Sequence, residues 1–144
     1  MKSFHQQVKE QRGQSLIEMA IVFTLLLVLL GGVFDLGRAF FTYMALRDAA
    51  QEGATYASID PSNTTEIISR VRNASQNPVD LTNTTNVQVS VTVAGPACMG
   101  TGVTVNVNYG SFPLTFPFFT AFLGRSTFPI NATVTDTVLR PPCQ

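Results

Sequence analysis

The chain has little charge, a single histidine and no tryptophan. Nine Lys and Arg balance nine Asp and Glu, and together they make up 12 % of the 144 residues. Without net charge there is no field to draw in nucleic acid or an anionic surface, so no nucleic-acid partner is expected. The one histidine, His5, stands near the start of the chain, while Asp60, Glu66, Asp80 and Asp136 are scattered through the rest. A catalytic centre needs a nucleophile beside a base, or acids that converge. The composition therefore predicts no enzyme, no catalytic residue, no cofactor-binding residue and no small-molecule substrate. With two cysteines and one histidine, no metal site is expected either.

What the chain does have is one long apolar run. From Ser15 to Phe34 the only charge is Glu18. A helix of about 20 residues at 1.5 Å per residue spans the roughly 30 Å of bilayer hydrocarbon. The preceding "MKSFHQQVKEQRG" carries Lys2, Lys9 and Arg12 against Glu10, whereas Asp35 and Arg38 on the far flank cancel. This bias places the N-terminus in the cytoplasm and the residues from 36 onward outside. A cleaved secretory signal would want small residues after the run, and "GGVFDLGRAFF" has no A-x-A pattern. No polar face appears between Met19 and Phe34, which argues against the core helix of a soluble domain.

The helical pattern does not stop at the membrane. "DLGRAFFTYMALRDAAQEGATYASID" has no proline before Pro61, so one helix over about residues 14–59 is predicted, ended by Asp60-Pro61. Ala45, Ala49, Gly53 and Ala57 recur every four residues along its outer half. Small residues at that spacing let another backbone approach closely. The stripe fits either a second helix or the chain's own sheet.

Past Pro61, Ile67, Ile68 and Val71 follow a Ser/Asn/Thr cluster suited to capping, which predicts a short helix over 64–75. "TNVQVSVTVA" alternates through Val87, Val89, Val91 and Val93, and "GVTVNVNYG" through Val103, Val105, Val107 and Tyr109. The turn-forming "GPACMGTG" between them predicts an antiparallel hairpin. "TFPINATVTDTVL" is a third strand, with Ile130, Ala132 and Val134 on one face. Between the second and third strands, "SFPLTFPFFTAFLG" packs five phenylalanines into eleven residues. That segment reads either as a plug between sheet and long helix or as a surface patch for membrane or a neighbouring subunit. A third strand running back beside the second brings Cys143 near Cys98, which predicts a disulfide in an exported domain. Asn63, Asn73, Asn83 and Asn131 each head an N-x-S/T triplet, and composition alone accounts for such triplets here.

Gly13, a polar residue, an apolar run and a glutamate five positions after the glycine together resemble the class III signal of type IV pilins and pseudopilins. The continuation, with "DLGR" at 35–38 and "AAQEGATYAS" at 49–58, resembles the TadE-like pseudopilins of the Tad (tight adherence, Flp) pilus system. Thr24 and Thr55 stand where that family often has a proline and an arginine. The resemblance implies cleavage between Gly13 and Gln14 by a prepilin peptidase on the cytoplasmic side. Residues 1–13 would then be a leader, 14–35 the transmembrane part of the helix, and 36–144 an exported domain. A carboxylate within hydrocarbon costs roughly 2.5–3.5 kcal/mol. Glu18, one turn from the new α-amine at Gln14, is implied to answer that charge in its own or a neighbouring subunit; the alternative is snorkelling to the headgroups.

The expected fold is α+β and pilin-like: a long N-terminal transmembrane helix on a small antiparallel sheet of three strands, with a short extra helix. The expected function is that of a minor pilin or pseudopilin, a structural part of a Tad-type pilus for surface adherence. Its partners would be membrane lipid, the prepilin peptidase, other Tad pilins and the assembly platform. It would sit in the cytoplasmic membrane, single-pass, with its C-terminal domain in the periplasm or at the cell surface. The alternatives are a type II secretion pseudopilin, a filament subunit, or a signal-anchored domain of other function.

Overall fold

A computed structural model of the chain describes residues 3–142, with side chains from Gly13 onward. The first element, α1, runs unbroken from Ser3 to Ala57. It starts earlier than the predicted residue 14 because the segment before Gly13 holds Gln, Lys, Glu and Val and no proline, so nothing there stops a helix. It ends two residues sooner than predicted. The Ile59 and Asp60 N–H groups both turn onto the Tyr56 carbonyl, tightening the last turn just ahead of Pro61. The Ser58 carbonyl beyond it accepts the Leu139 N–H at 2.7 Å, so the C-terminal segment closes the helix end. Thr24 and Thr55 each return their hydroxyl to the carbonyl four residues back, at 2.8 Å. For Thr24 this satisfies a polar group that an apolar surrounding would leave stranded.

The remaining elements follow in the order α2 (Thr64–Asn73), β1 (Val87–Val93), β2 (Gly102–Pro113), α3 (Pro117–Leu123) and β3 (Thr127–Thr137). The Asn63 side chain caps α2 by accepting the Glu66 N–H. The three strands form one antiparallel sheet in the order β1-β2-β3. Val87 pairs with Tyr109 and Val93 with Val103, and on the other side Val105 pairs with Val134 and Val107 with Ala132. These registers bring the valine positions read from the alternation onto one face. The opposite face is uncharged and polar, with Thr104 bonded to Thr135 and Asn106 to Thr133 across the strands. The fold is thus α+β, a long helix packed on a three-stranded sheet, as expected.

One core holds these layers together. Leu46, Ala50 and Ala54 from α1, Ile67 and Val71 from α2, and Val87, Val103, Val105 and Val107 from the sheet are fully buried. Of the small-residue stripe, Ala49, Gly53 and Ala57 are buried in this same core, and Ala45 is half-buried. A methyl group built on Gly53 would stand 2.4 Å from Val71 Cγ2 and 3.4 Å from Val105 Cγ1. The absence of a side chain there sets how closely α2 and the sheet approach α1. On the surface, Arg70 lies 3.4 Å from Glu52 and 3.3 Å from Glu66, with its guanidinium 4.4 Å from the Tyr56 ring centroid. Exposed pairs of this kind contribute under about 1 kcal/mol each, so the apolar contact carries the α1–α2 join.

Gly53→Leu should overpack this join and cost about 1–3 kcal/mol. Thermal unfolding of the detergent-solubilised full chain should show a melting point lower by roughly 5 °C or more. Gly37, where an added methyl meets nothing within 4 Å, gives the opposite sign: Gly37→Ala should gain up to about 1 kcal/mol of helix propensity and leave the fold unchanged.

Candidate functional site

At the C-terminal end of the apolar run, α1 meets the phenylalanine-rich segment. Asp35 is 4 % exposed. Its Oδ1 accepts the Thr115 N–H and its Oδ2 the Phe116 N–H, both at 3.1 Å. Arg38, one turn further along, stands 3.7 Å from Asp35 Oδ1 and donates from Nη1 to the Thr115 hydroxyl. Its guanidinium also lies over the Phe112 ring, 5.3 Å from the centroid. Hydrogen bonds to a charged acceptor are the stronger kind, and here a carboxylate on α1 holds the turn that leads into α3.

The other backbone donors of this turn are accounted for as well. Pro113 and Pro117 have no N–H, and the Leu114 N–H donates to the Ser126 carbonyl at 3.0 Å. Each N–H from residue 113 to 117 is therefore absent or bonded. With the turn fixed, Phe116 and Phe119 fall on Gly31 and Gly32. A methyl group on Gly31 would come 2.6 Å from the Phe116 ring, and one on Gly32 would come 3.0 Å from Phe119. The glycine pair is a notch in α1 that accepts two aromatic rings. Beside it lies an apolar crevice of about 350 Å³ between α1, α3 and the sheet end, walled by Gly32, Leu36, Ala39, Phe119, Leu123 and Ile130.

The structure places the other residues singled out from the sequence as follows. Gly13, Gln14 and Glu18 lie on exposed turns of α1, and Glu18 makes no ion pair among the described residues. Among the described residues, nothing lies within 4 Å of a methyl group added at Gly13. Cys98 is buried in the β1–β2 connection, while Cys143 lies outside the described residues. Among the described residues no group of three or more His, Cys, Asp and Glu side chains stands together as metal ligands would. In the sequence Asp35 and Arg38 stand out only as a self-cancelling flank and as part of "DLGR"; their hold on the Thr115–Phe116 turn and the Gly31–Gly32 notch do not. Two signals pointed to them: a charge pair closing an apolar run, and adjacent glycines inside a membrane-length helix.

If Asp35 holds the turn, Asp35→Ala should orphan two N–H groups at about 1–3 kcal/mol each. Hydrogen exchange at the Thr115 and Phe116 amides should then rise by about tenfold or more. Asp35→Asn, with one acceptor oxygen, should release one of the two. Unchanged exchange in both variants would remove the latch.

Gly13–Ala57 of α1 is long and apolar enough to cross a membrane by length and composition. No curated protein and no solved structure matches the chain. The family model for TadE-like proteins matches residues 13–55, beginning at Gly13 and running through the latch to the buried rows of α1. Along that helix, the chain is similar to the TadE-like protein family.

Proposed function

We propose that the protein is a membrane-anchored minor pilin or pseudopilin of a Tad-type pilus, processed between Gly13 and Gln14 and built into an assembly rather than acting as a catalyst. The match to the TadE-like family over residues 13–55 carries this reading. Two features of the helix support it. A glycine inside a helix costs up to about 1 kcal/mol against alanine, and among the described residues no contact asks for one at Gly13. A requirement from outside, such as the specificity of a prepilin peptidase, accounts for it. Glu18 is exposed on the apolar span, four residues after Gln14, which is one helical turn. Cleavage would free a cationic α-amine at Gln14 within reach of this carboxylate, in the same chain or in a neighbour. Pairing the two in a low-dielectric surrounding lowers the cost of burying either.

In this reading the basic leader stays in the cytoplasm, the span lies in the inner membrane, and the α+β domain stands outside it. An exported domain meets oxidising conditions, and we assign a disulfide to Cys98 and Cys143. The backbone supports that pairing. The Met99 N–H donates to the Pro141 carbonyl at 2.7 Å and the Gly100 N–H to Val138 at 2.9 Å, so the C-terminal segment runs beside Cys98. A closed loop of about 45 residues is worth roughly 4 kcal/mol in the chain-entropy model.

Protein extracted from membranes of cells with an active prepilin peptidase should begin at Gln14 on N-terminal sequencing. A start at Met1 would refute processing. Glu18→Ala should impair assembly into pili; unchanged processing, assembly and partner binding would sink its role. Non-reducing electrophoresis should show faster migration than reducing electrophoresis, with no alkylatable thiol in the native protein. Two alkylated cysteines would exclude the disulfide.

A further inference from the structure

The short helix α3 is apolar on every side. Its one polar side chain, Thr120, returns its hydroxyl to the Pro117 carbonyl at 2.7 Å. Phe116 and Phe119 face the notch in α1, but Phe118 is 51 %, Phe122 80 % and Leu123 46 % exposed. A helix that is hydrophobic all round belongs in an apolar surrounding, and the chain itself supplies one on one side only.

The level at which α3 sits identifies the missing surrounding. Gly31, which meets Phe116, lies four residues inward of Asp35, or about 6 Å along the helix, and seven inward of Arg38, or about 10 Å. These glycines belong to the apolar span itself. The exposed apolar surface of α1 does not end below them, for it continues through Val33, Phe34 and Leu36 to Phe40 and Phe41. A bilayer that covers the span up to Asp35 also reaches α3. Its depth matches the 5–10 Å at which interfacial helices lie.

The loop is also built for a medium without water. Irregular backbone at membrane depth is tolerated where its polar groups find partners within the protein, and each N–H from residue 113 to 117 is absent or bonded. No Asp, Glu, Lys or Arg occurs between Asp80 and Arg125. The first charge after α3 is the exposed Arg125, a cation on a long stem of the type that reaches headgroup phosphates from an apolar surface.

We propose that residues 114–126 form an interfacial anchor, inserted into the leaflet on the domain's side of the membrane. Phe118, Phe122 and Leu123 lie against acyl chains, and the crevice between α1 and α3 is open to the same chains. The lipid that surrounds the span is continuous with the lipid that covers α3. The inference rests on α1 crossing the bilayer, and on neither cleavage at Gly13 nor assembly.

The absence of tryptophan makes the test direct. Single variants Phe118→Trp, Phe122→Trp, Leu26→Trp in mid-span and Thr92→Trp on the polar sheet face are made in the full chain. Each is reconstituted in phosphatidylcholine vesicles with or without lipid brominated on its acyl chains. Phe118→Trp and Phe122→Trp should emit to the blue of Thr92→Trp, be quenched by brominated lipid, and lose most of the iodide quenching that Thr92→Trp shows. Iodide quenching of both equal to that of Thr92→Trp, while Leu26→Trp responds to brominated lipid, would overturn the anchor and leave the span standing. Protection from iodide and brominated lipid alike would mean that protein covers α3, which also overturns it. Iodide access to Leu26→Trp would overturn the span and the anchor together.

Discussion

Two backbone N–H groups in a loop and one carboxylate at the end of a membrane-length helix fix how the domain sits on its stem. Asp35 accepts from Thr115 and Phe116, and Arg38 braces the same turn from one helical turn above. Without that hold, the strand connection would be an apolar loop free to swing about the sheet end. With it, Phe116 and Phe119 drop onto Gly31 and Gly32. The charge pair that looked like a neutral flank of the span is a fastening between the span and the domain. Its position at the edge of the apolar run also explains how a buried carboxylate is tolerated there, because it is supplied with donors and a cation.

A second fastening lies further along α1, toward its C-terminal end, and works by packing. Ala49, Gly53 and Ala57 let α2 and the sheet come close to the helix, and Leu46 fills the space beside them. The two fastenings use glycine in the same way. At Gly53 the notch receives Val71 and Val105, and at Gly31 and Gly32 it receives aromatic rings. The helix thus carries clefts for its own domain at two heights, separated by the half-exposed turns around Gly37 and Arg38.

The sheet was legible because alternation is a local signal: Val87 to Val93 and Val103 to Tyr109 announce both their conformation and their buried face. The capped start of α2 at Asn63 was equally local. The latch was not, because Asp35 and its partners stand about 80 residues apart in the chain. Neither end announces the other, and a carboxylate beside an arginine reads first as a self-neutralising pair. The phenylalanine-rich segment left two readings open for a related reason. Phe116 and Phe119 do plug a gap, while Phe118 and Phe122 on the same short helix face away. A sequence shows the density of apolar side chains but not which of two adjacent surfaces each one meets.

The unbroken course of α1 has a further consequence, one of phase. Each residue of an α-helix turns the chain by about 100°. The notch at Gly31, the carboxylate at Asp35 and the buried row from Leu46 to Ala54 therefore have fixed azimuths relative to one another and to the lipid-facing side chains. There is no hinge between span and domain in which a rotation could be absorbed. Whichever side of the span is turned toward a neighbour in the membrane determines which side of the sheet is presented outside it. One residue inserted between Phe34 and Leu46 would turn the core rows about 100° away from the notch. The helix is an index as well as an anchor, and its angular register is as constrained as its length.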